Sequence, residues 1–149
     1  MEFGATLRSA RASAELSQRQ LARRARTSQA RISSYESGKL TPEPQTQRRL
    51  LQATRPLPSV VLDRCRDEVK RLAAAHRLLH VRVFGSVARG TDTLSSDIDL
   101  LVTPDDGASL LDMAGFMLDV EALTGYKVDV VSDAPLTDES EIVAQALWL

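Results

Sequence analysis

Val81-Arg82-Val83-Phe84-Gly85-Ser86-Val87-Ala88-Arg89-Gly90, followed by Ser96-Asp97-Ile98-Asp99-Leu100-Leu101-Val102, is the stretch on which the fold of this chain turns. Val81–Phe84 predicts a short strand ending at the Gly85-Ser86 turn, and Ile98–Val102 predicts a second strand. Side chains at i and i+2 of a strand share a face, so Asp97 and Asp99 are expected side by side while Ile98 and Leu100 enter the core. Two adjacent carboxylates repel each other unless a cation lies between them. Further on, Lys127–Val131 predicts a third strand, in which Asp129 is flanked by valines. A third carboxylate on a neighbouring strand would complete a cage for Mg²⁺, which takes hard oxygen ligands and binds together with substrate phosphates. Gly85 lets the backbone approach a phosphate, and Ser86 offers a backbone N–H and a hydroxyl.

Together these features imply in-line nucleotidyl transfer with two metal ions. On that reading Asp97 and Asp99 hold both metals. Asp129 helps hold the catalytic one near the attacking hydroxyl and takes its proton. Ser86 steadies the β- and γ-phosphates, Arg89 neutralises charge on the leaving pyrophosphate, and Gly85 and Ser96 complete the nucleotide-binding set. Around these strands, Ser59–His76 predicts an amphipathic helix with Val60, Val61, Cys65, Val69 and Leu72 as its apolar stripe. Leu110–Leu123 predicts a second helix and Glu141–Leu147 a last short one. The alternation is that of an α/β (α+β) domain with a small mixed sheet. His76 and His80 read as boundary residues between helix and strand.

The Gly-Ser turn, the Asp-x-Asp pair and the later lone aspartate, in that order over nearly all of residues 59–149, resemble the minimal nucleotidyltransferases of the DNA polymerase β-like superfamily. No further domain is expected to grip a template, a tRNA or an aminoglycoside. The resemblance is therefore to the antitoxin type, whose partner is a HEPN-domain ribonuclease toxin. It implies transfer of AMP from ATP, with two Mg²⁺ ions, to a tyrosine of that toxin. Two alternatives stay open: neutralisation of the toxin by contact alone, and nucleotidyl transfer to a small molecule or RNA.

Upstream the grammar is different. Four of the six prolines, Pro42, Pro44, Pro56 and Pro58, fall between Thr41 and Ser59 and mark a boundary. The expected division is an all-α domain over residues 1–55, a connector over 56–58 and the sheet domain over 59–149. Thr6–Ala12 predicts a first helix. Ser17 and Ser28 are N-caps for a second and a third, and Gly38 suits the end of the third. Gln45–Ala53 predicts a fourth. The second and third helices have the size of a helix-turn-helix, whose later helix places its first turn on base edges in the major groove. That turn is Ser28, Gln29, Ala30 and Arg31, with Ser34 one turn on. Gln29 suits an adenine edge, Arg31 a guanine edge or phosphate, and Ala30 a thymine methyl. Gln18 is placed to meet a phosphate. The stretches Leu16-Ser17-Gln18-Arg19-Gln20-Leu21-Ala22 and Ser28–Glu36, then Gly38-Lys39 and Pro42, resemble the Cro/repressor-type (Xre-like) helix-turn-helix family. The resemblance implies an ion pair between Arg11 and Glu36, operator DNA as a partner, and a homodimer on two-fold operators.

Charge divides the chain in the same place. Residues 1–58 hold 11 Lys+Arg against 4 Asp+Glu, and residues 59–149 hold 8 against 16, which leaves a net charge of -1. The basic part suits a polyanion and the acidic part a divalent cation or a solvated surface. A single cysteine, Cys65, excludes an internal disulfide and a cysteine-based zinc site. No 18-residue apolar stretch is present, and the opening Met-Glu-Phe-Gly has no apolar signal region, which predicts a soluble cytoplasmic protein without a membrane partner.

Overall fold

Serine side chains start both central helices of the first unit. In the computed structural model, which describes residues 2–149, the unit contains α1 (Glu2–Ser13), α2 (Gln18–Arg24), α3 (Gln29–Glu36) and α4 (Pro44–Gln52). Ser17 Oγ accepts the Gln20 N–H while Gln20 reaches back to the Ser17 N–H, so each satisfies a donor the helix leaves open. Ser28 Oγ accepts the Arg31 N–H in the same way. Gly38 follows the end of α3 with φ +73°. Leu7, Leu21, Ile32 and Leu50 are fully buried in a shared cluster, each adding about 2 kcal/mol of transfer free energy. The first helix is longer than expected, because Glu2–Ala5 continue its turns upstream of Thr6.

Arg11 and Glu36 lock α1 to α3. Glu36 accepts from Arg11 Nε at 2.6 Å and Nη2 at 3.0 Å, and from Gln18 Nε2 at 2.9 Å. Arg11 also donates to the Leu16 carbonyl, and Arg8 to the Glu36 carbonyl. Burial alone would raise the Glu36 pKa. The hydrogen bonds from Arg11 and Gln18 and the charges of Arg11 and Arg8 outweigh it and hold the carboxyl below its ordinary range.

The chain divides between Pro56 and Leu57. The second unit holds α5 (Pro58–Arg64), α6 (Arg66–Ala75), β1 (Leu78–Phe84), α7 (Gly85–Arg89), β2 (Ile98–Pro104), α8 (Leu110–Thr124), β3 (Val128–Ser132), α9 (Glu141–Gln145) and β4 (Leu147–Trp148). Its sheet is mixed, in the order β3-β2-β1-β4. β1 runs antiparallel to both β2 and β4, and β2 is parallel to β3 across the α8 crossover. Ile98, Leu100 and Val102 pack with Val69, Phe116, Val120 and Val128 on one face of this sheet.

Four expectations change here. The helix over Ser59–His76 is two helices, because Cys65 (φ -109°, ψ 18°) leaves helical geometry between them. Leu62 and Pro58, not Val60, are the buried residues of the first; Val60 is 39% exposed. The first strand begins at Leu78 and crosses a register shift between Leu79 and Arg82, where His80 adopts φ +50°. The last helix stops at Gln145, and Leu147 and Trp148 instead add an edge strand to β1.

Candidate active site and DNA-reading helix

Strand register brings two of the three acidic residues together. Asp99 pairs with Asp129 on the parallel neighbour β3 and with Phe84 on β1. Directly opposed residues share a face. Asp99 lies between the buried Ile98 and Leu100, so the two carboxylates stand on the face turned away from that core. Gly85, directly after β1, adjoins Asp99. Its φ is +68°, and a Cβ there would lie 2.2 Å from Asp99 Oδ2. The close approach expected for a phosphate is thus already required by the Asp99 carboxylate.

Asp97 sits one residue ahead of β2, in a loop, and Lys127 sits one residue ahead of β3. The Ile98 N–H donates to the Lys127 carbonyl at 2.9 Å, and Lys127 Nζ reaches Asp97 Oδ2 at 3.5 Å. From the sequence Lys127 reads only as the residue that opens a strand. The available signal was its place two residues before Asp129, which puts it towards the same face. Ser96 holds this loop: its Oγ accepts the Thr93 N–H at 2.8 Å. Ser86 is the second residue of the five-residue α7. Arg89 closes that helix and donates to Gln145 Oε1 at 3.2 Å. Asp92 accepts the Ser59 N–H at 2.8 Å and secures the start of α5.

Burial raises the Asp99 pKa, and the charges of Asp129 and Asp97 raise it further, against the opposing pull of Arg89 and Lys127. Lys127 is held above its ordinary value by Asp97, then Asp129. Like charges crowded in this way favour a cation among them, and the carboxylate oxygens are the hard donors a divalent ion takes. The donor chemistry therefore fits Mg²⁺. The three carboxylates are nevertheless not drawn into a ready cage: among the described residues, no three His, Cys, Asp or Glu side chains cluster closely enough to hold a metal ion. Asp97 is a loop residue that strand geometry does not fix, and its near neighbour is Lys127.

In the first unit, Ser28, Gln29, Ala30 and Arg31 form an exposed first turn of α3, and Ser34 follows part-buried. The Gln18 side-chain amide donates to Glu36 and braces the helix junction. Arg19, Arg23 and Arg26 are exposed.

Comparison with known proteins agrees with this geometry. Residues 2–58 match the helix-turn-helix domain family and residues 62–146 the nucleotidyltransferase domain family. "Putative protein adenylyltransferase MJ0435" of Methanocaldococcus jannaschii is 36% identical over 70 residues, which cover 44% of this chain and 75% of that protein. A solved structure described as "Structure of putative minimal nucleotidyltransferase" is 41% identical with a TM-score of 0.56, covering 61% of this chain and 95% of its own. The part of the chain that carries Gly85, Asp97, Asp99 and Asp129 therefore belongs to the nucleotidyltransferase domain family, and a helix-turn-helix domain precedes it.

Proposed function

We propose that the chain is the antitoxin of a HEPN/MNT-type toxin–antitoxin pair. It transfers AMP from ATP to a tyrosine of its HEPN ribonuclease toxin, and its helix-turn-helix unit binds operator DNA to repress its own operon. The observation that carries the transfer reading is the register pair Asp99 and Asp129 beside Gly85. Likeness to a protein named as a protein adenylyltransferase supports a protein acceptor.

In the reaction, the tyrosine phenol oxygen forms a bond to the α-phosphorus of ATP. The bond from that phosphorus to the bridging oxygen of the β-phosphate breaks, and pyrophosphate leaves. The phenol proton passes to Asp129. Two Mg²⁺ ions, held by Asp97, Asp99 and Asp129, would supply neutralisation of the triphosphate charge. Ser86 steadies the β- and γ-phosphates from the start of α7, Gly85 and Ser96 shape the pocket wall, and Arg89 offsets charge on pyrophosphate as it forms. Ser28, Gln29, Ala30, Arg31 and Ser34 meet base edges, with Gln18 at the phosphate boundary. The place of action is the cytoplasm, and a homodimer would match a two-fold operator.

The test is the intact mass of the protein encoded beside this chain, co-expressed with wild type or with Asp97→Asn and Asp99→Asn variants. Mass gains of one or more AMP units with wild type alone support the reading. An unmodified toxin whose toxicity is still suppressed refutes transfer in favour of contact. An unmodified and still toxic partner refutes both, and points to small-molecule or RNA acceptors.

A further inference from the structure

Helix α8 is apolar on two sides. Phe116 and Val120 are its buried side. Leu110 (83% exposed), Leu111 (84%) and Leu118 (59%) face water instead. At 3.6 residues per turn, Leu110, Leu111, Ala114, Leu118 and Ala122 fall within one arc of the helix, which also holds Glu121, whose carboxylate accepts the Val128 N–H at 3.1 Å. Leucines exposed to this degree in a continuous stripe mark an interaction surface rather than ordinary exposure. The stripe points away from the core, whereas Asp99 and Asp129 lie on the far face of the sheet.

Charge indicates the occupant. The helix carries Asp112, Asp119 and Glu121 and no Lys or Arg, and Asp112 and Asp119 line one border of the stripe. Asp119 bonds His76 at 2.7 Å but remains half exposed, and Ser109 bonds Asp112. The whole sheet domain is acidic, with 8 Lys+Arg against 16 Asp+Glu over residues 59–149. In a two-fold antiparallel pairing of two α8 helices, like borders meet, so a second copy would set aspartate rows against each other.

We propose that the outer face of α8 is a docking surface for a partner protein that presents an amphipathic helix, with an apolar stripe flanked by Lys or Arg. The inference rests on the reading of this chain as one that acts on a protein. It adds that the partner is gripped on the opposite side of the sheet from the carboxylates, so docking and nucleotidyl transfer are separable.

The test uses the full chain and the purified protein encoded beside it. Calorimetry without ATP measures binding, and intact mass after ATP and Mg²⁺ measures transfer. The variants are Leu111→Gln with Leu118→Gln, and separately Asp99→Asn. The leucine pair is exposed and Gln is a good helix former, so circular dichroism of the double variant should match wild type. Binding should weaken at least tenfold in the leucine variant, remain unchanged in Asp99→Asn, and weaken with added salt. Equal binding by the leucine variant and wild type overturns the surface and leaves the transfer reading standing. Leucine-dependent binding without any mass gain overturns transfer and keeps the surface. No binding by wild type overturns the docking proposal. So does a chain that sediments alone as a dimer and is split by the leucine changes, since a second copy is then the occupant.

Discussion

Gly85→Ala separates backbone strain from damage to the site. The residue sits at φ +68°, where an L side chain costs about 1–2 kcal/mol. For a domain of this size that lowers Tm by on the order of 10 °C. The second effect is local. The new Cβ would lie 2.2 Å from Asp99 Oδ2, while ordinary contact begins at 3.4 Å, so the carboxylate must retreat by about 1.2 Å, the difference of the two. A misplacement of about 1 Å at a reacting centre costs roughly 100-fold in rate. Gly90→Ala is the matched control: its φ is +69° and nothing lies within 4 Å of the added Cβ. Both variants should melt early, by a similar amount, in thermal circular dichroism. Only Gly85→Ala should lose about 100-fold in pyrophosphate release with the protein acceptor, measured well below both melting points. Near-wild-type transfer by Gly85→Ala, or an equal loss in Gly90→Ala, refutes the argument that this glycine exists to seat Asp99.

Asp99→Asn should lower transfer by about a thousandfold, the loss of several kcal/mol of charge organisation. Because the folded-state pKa of Asp99 is raised, the folded chain binds protons more readily than the unfolded one. Metal-free wild type should therefore gain stability as pH falls through the raised value toward the ordinary one near 3.9, and Asp99→Asn should abolish that gain in chelator-containing melts. Arg11→Met should destabilise the helical unit by about 3 kcal/mol, since it strands a buried carboxylate. The lowered Glu36 pKa means that the pair's stabilisation is complete above the ordinary glutamate value near 4.3 and is lost as pH falls through the lower folded-state value; the variant should lack this acid transition in a pH series of denaturant melts. Gln29→Ala should cost about 1–3 kcal/mol of operator binding with little change in salt dependence, whereas Arg23→Ala should flatten the salt slope and leave sequence preference intact, both by fluorescence anisotropy.

Much of this protein is legible in its sequence. The serine caps at Ser17 and Ser28 act on N–H groups three residues away, and the alternation through Ile98–Leu100 depends only on period two. Motif order was enough to name the chemistry of residues 81–131, and family pattern was enough to anticipate the Arg11–Glu36 pair. Where the reading stopped, the deciding partner was distant or absent from local periodicity. Val60 and Leu62 are equally apolar, so only packing chose Leu62. The hydrogen bond from Gln18 to Glu36 is not legible locally, because its carboxylate partner lies 18 residues on, across a helix junction. Leu147-Trp148 is too short to signal a strand, and it becomes one only because β1 offers an unpaired edge.

By itself, then, the sequence determined most of the helices and the three longer strands, the division into a basic helical part and an acidic sheet part, and the identity of the acidic residues, because these follow from contacts within about four residues or from composition. Tertiary structure alone decided the arrangement of the site. It set Asp99 opposite Asp129, pressed Gly85 against the carboxylate, left Asp97 beside Lys127 in the loops, and turned a leucine stripe of α8 to water. Those outcomes depend on strand register and on which helix face meets the sheet, and both are fixed only when segments some thirty residues apart pack together.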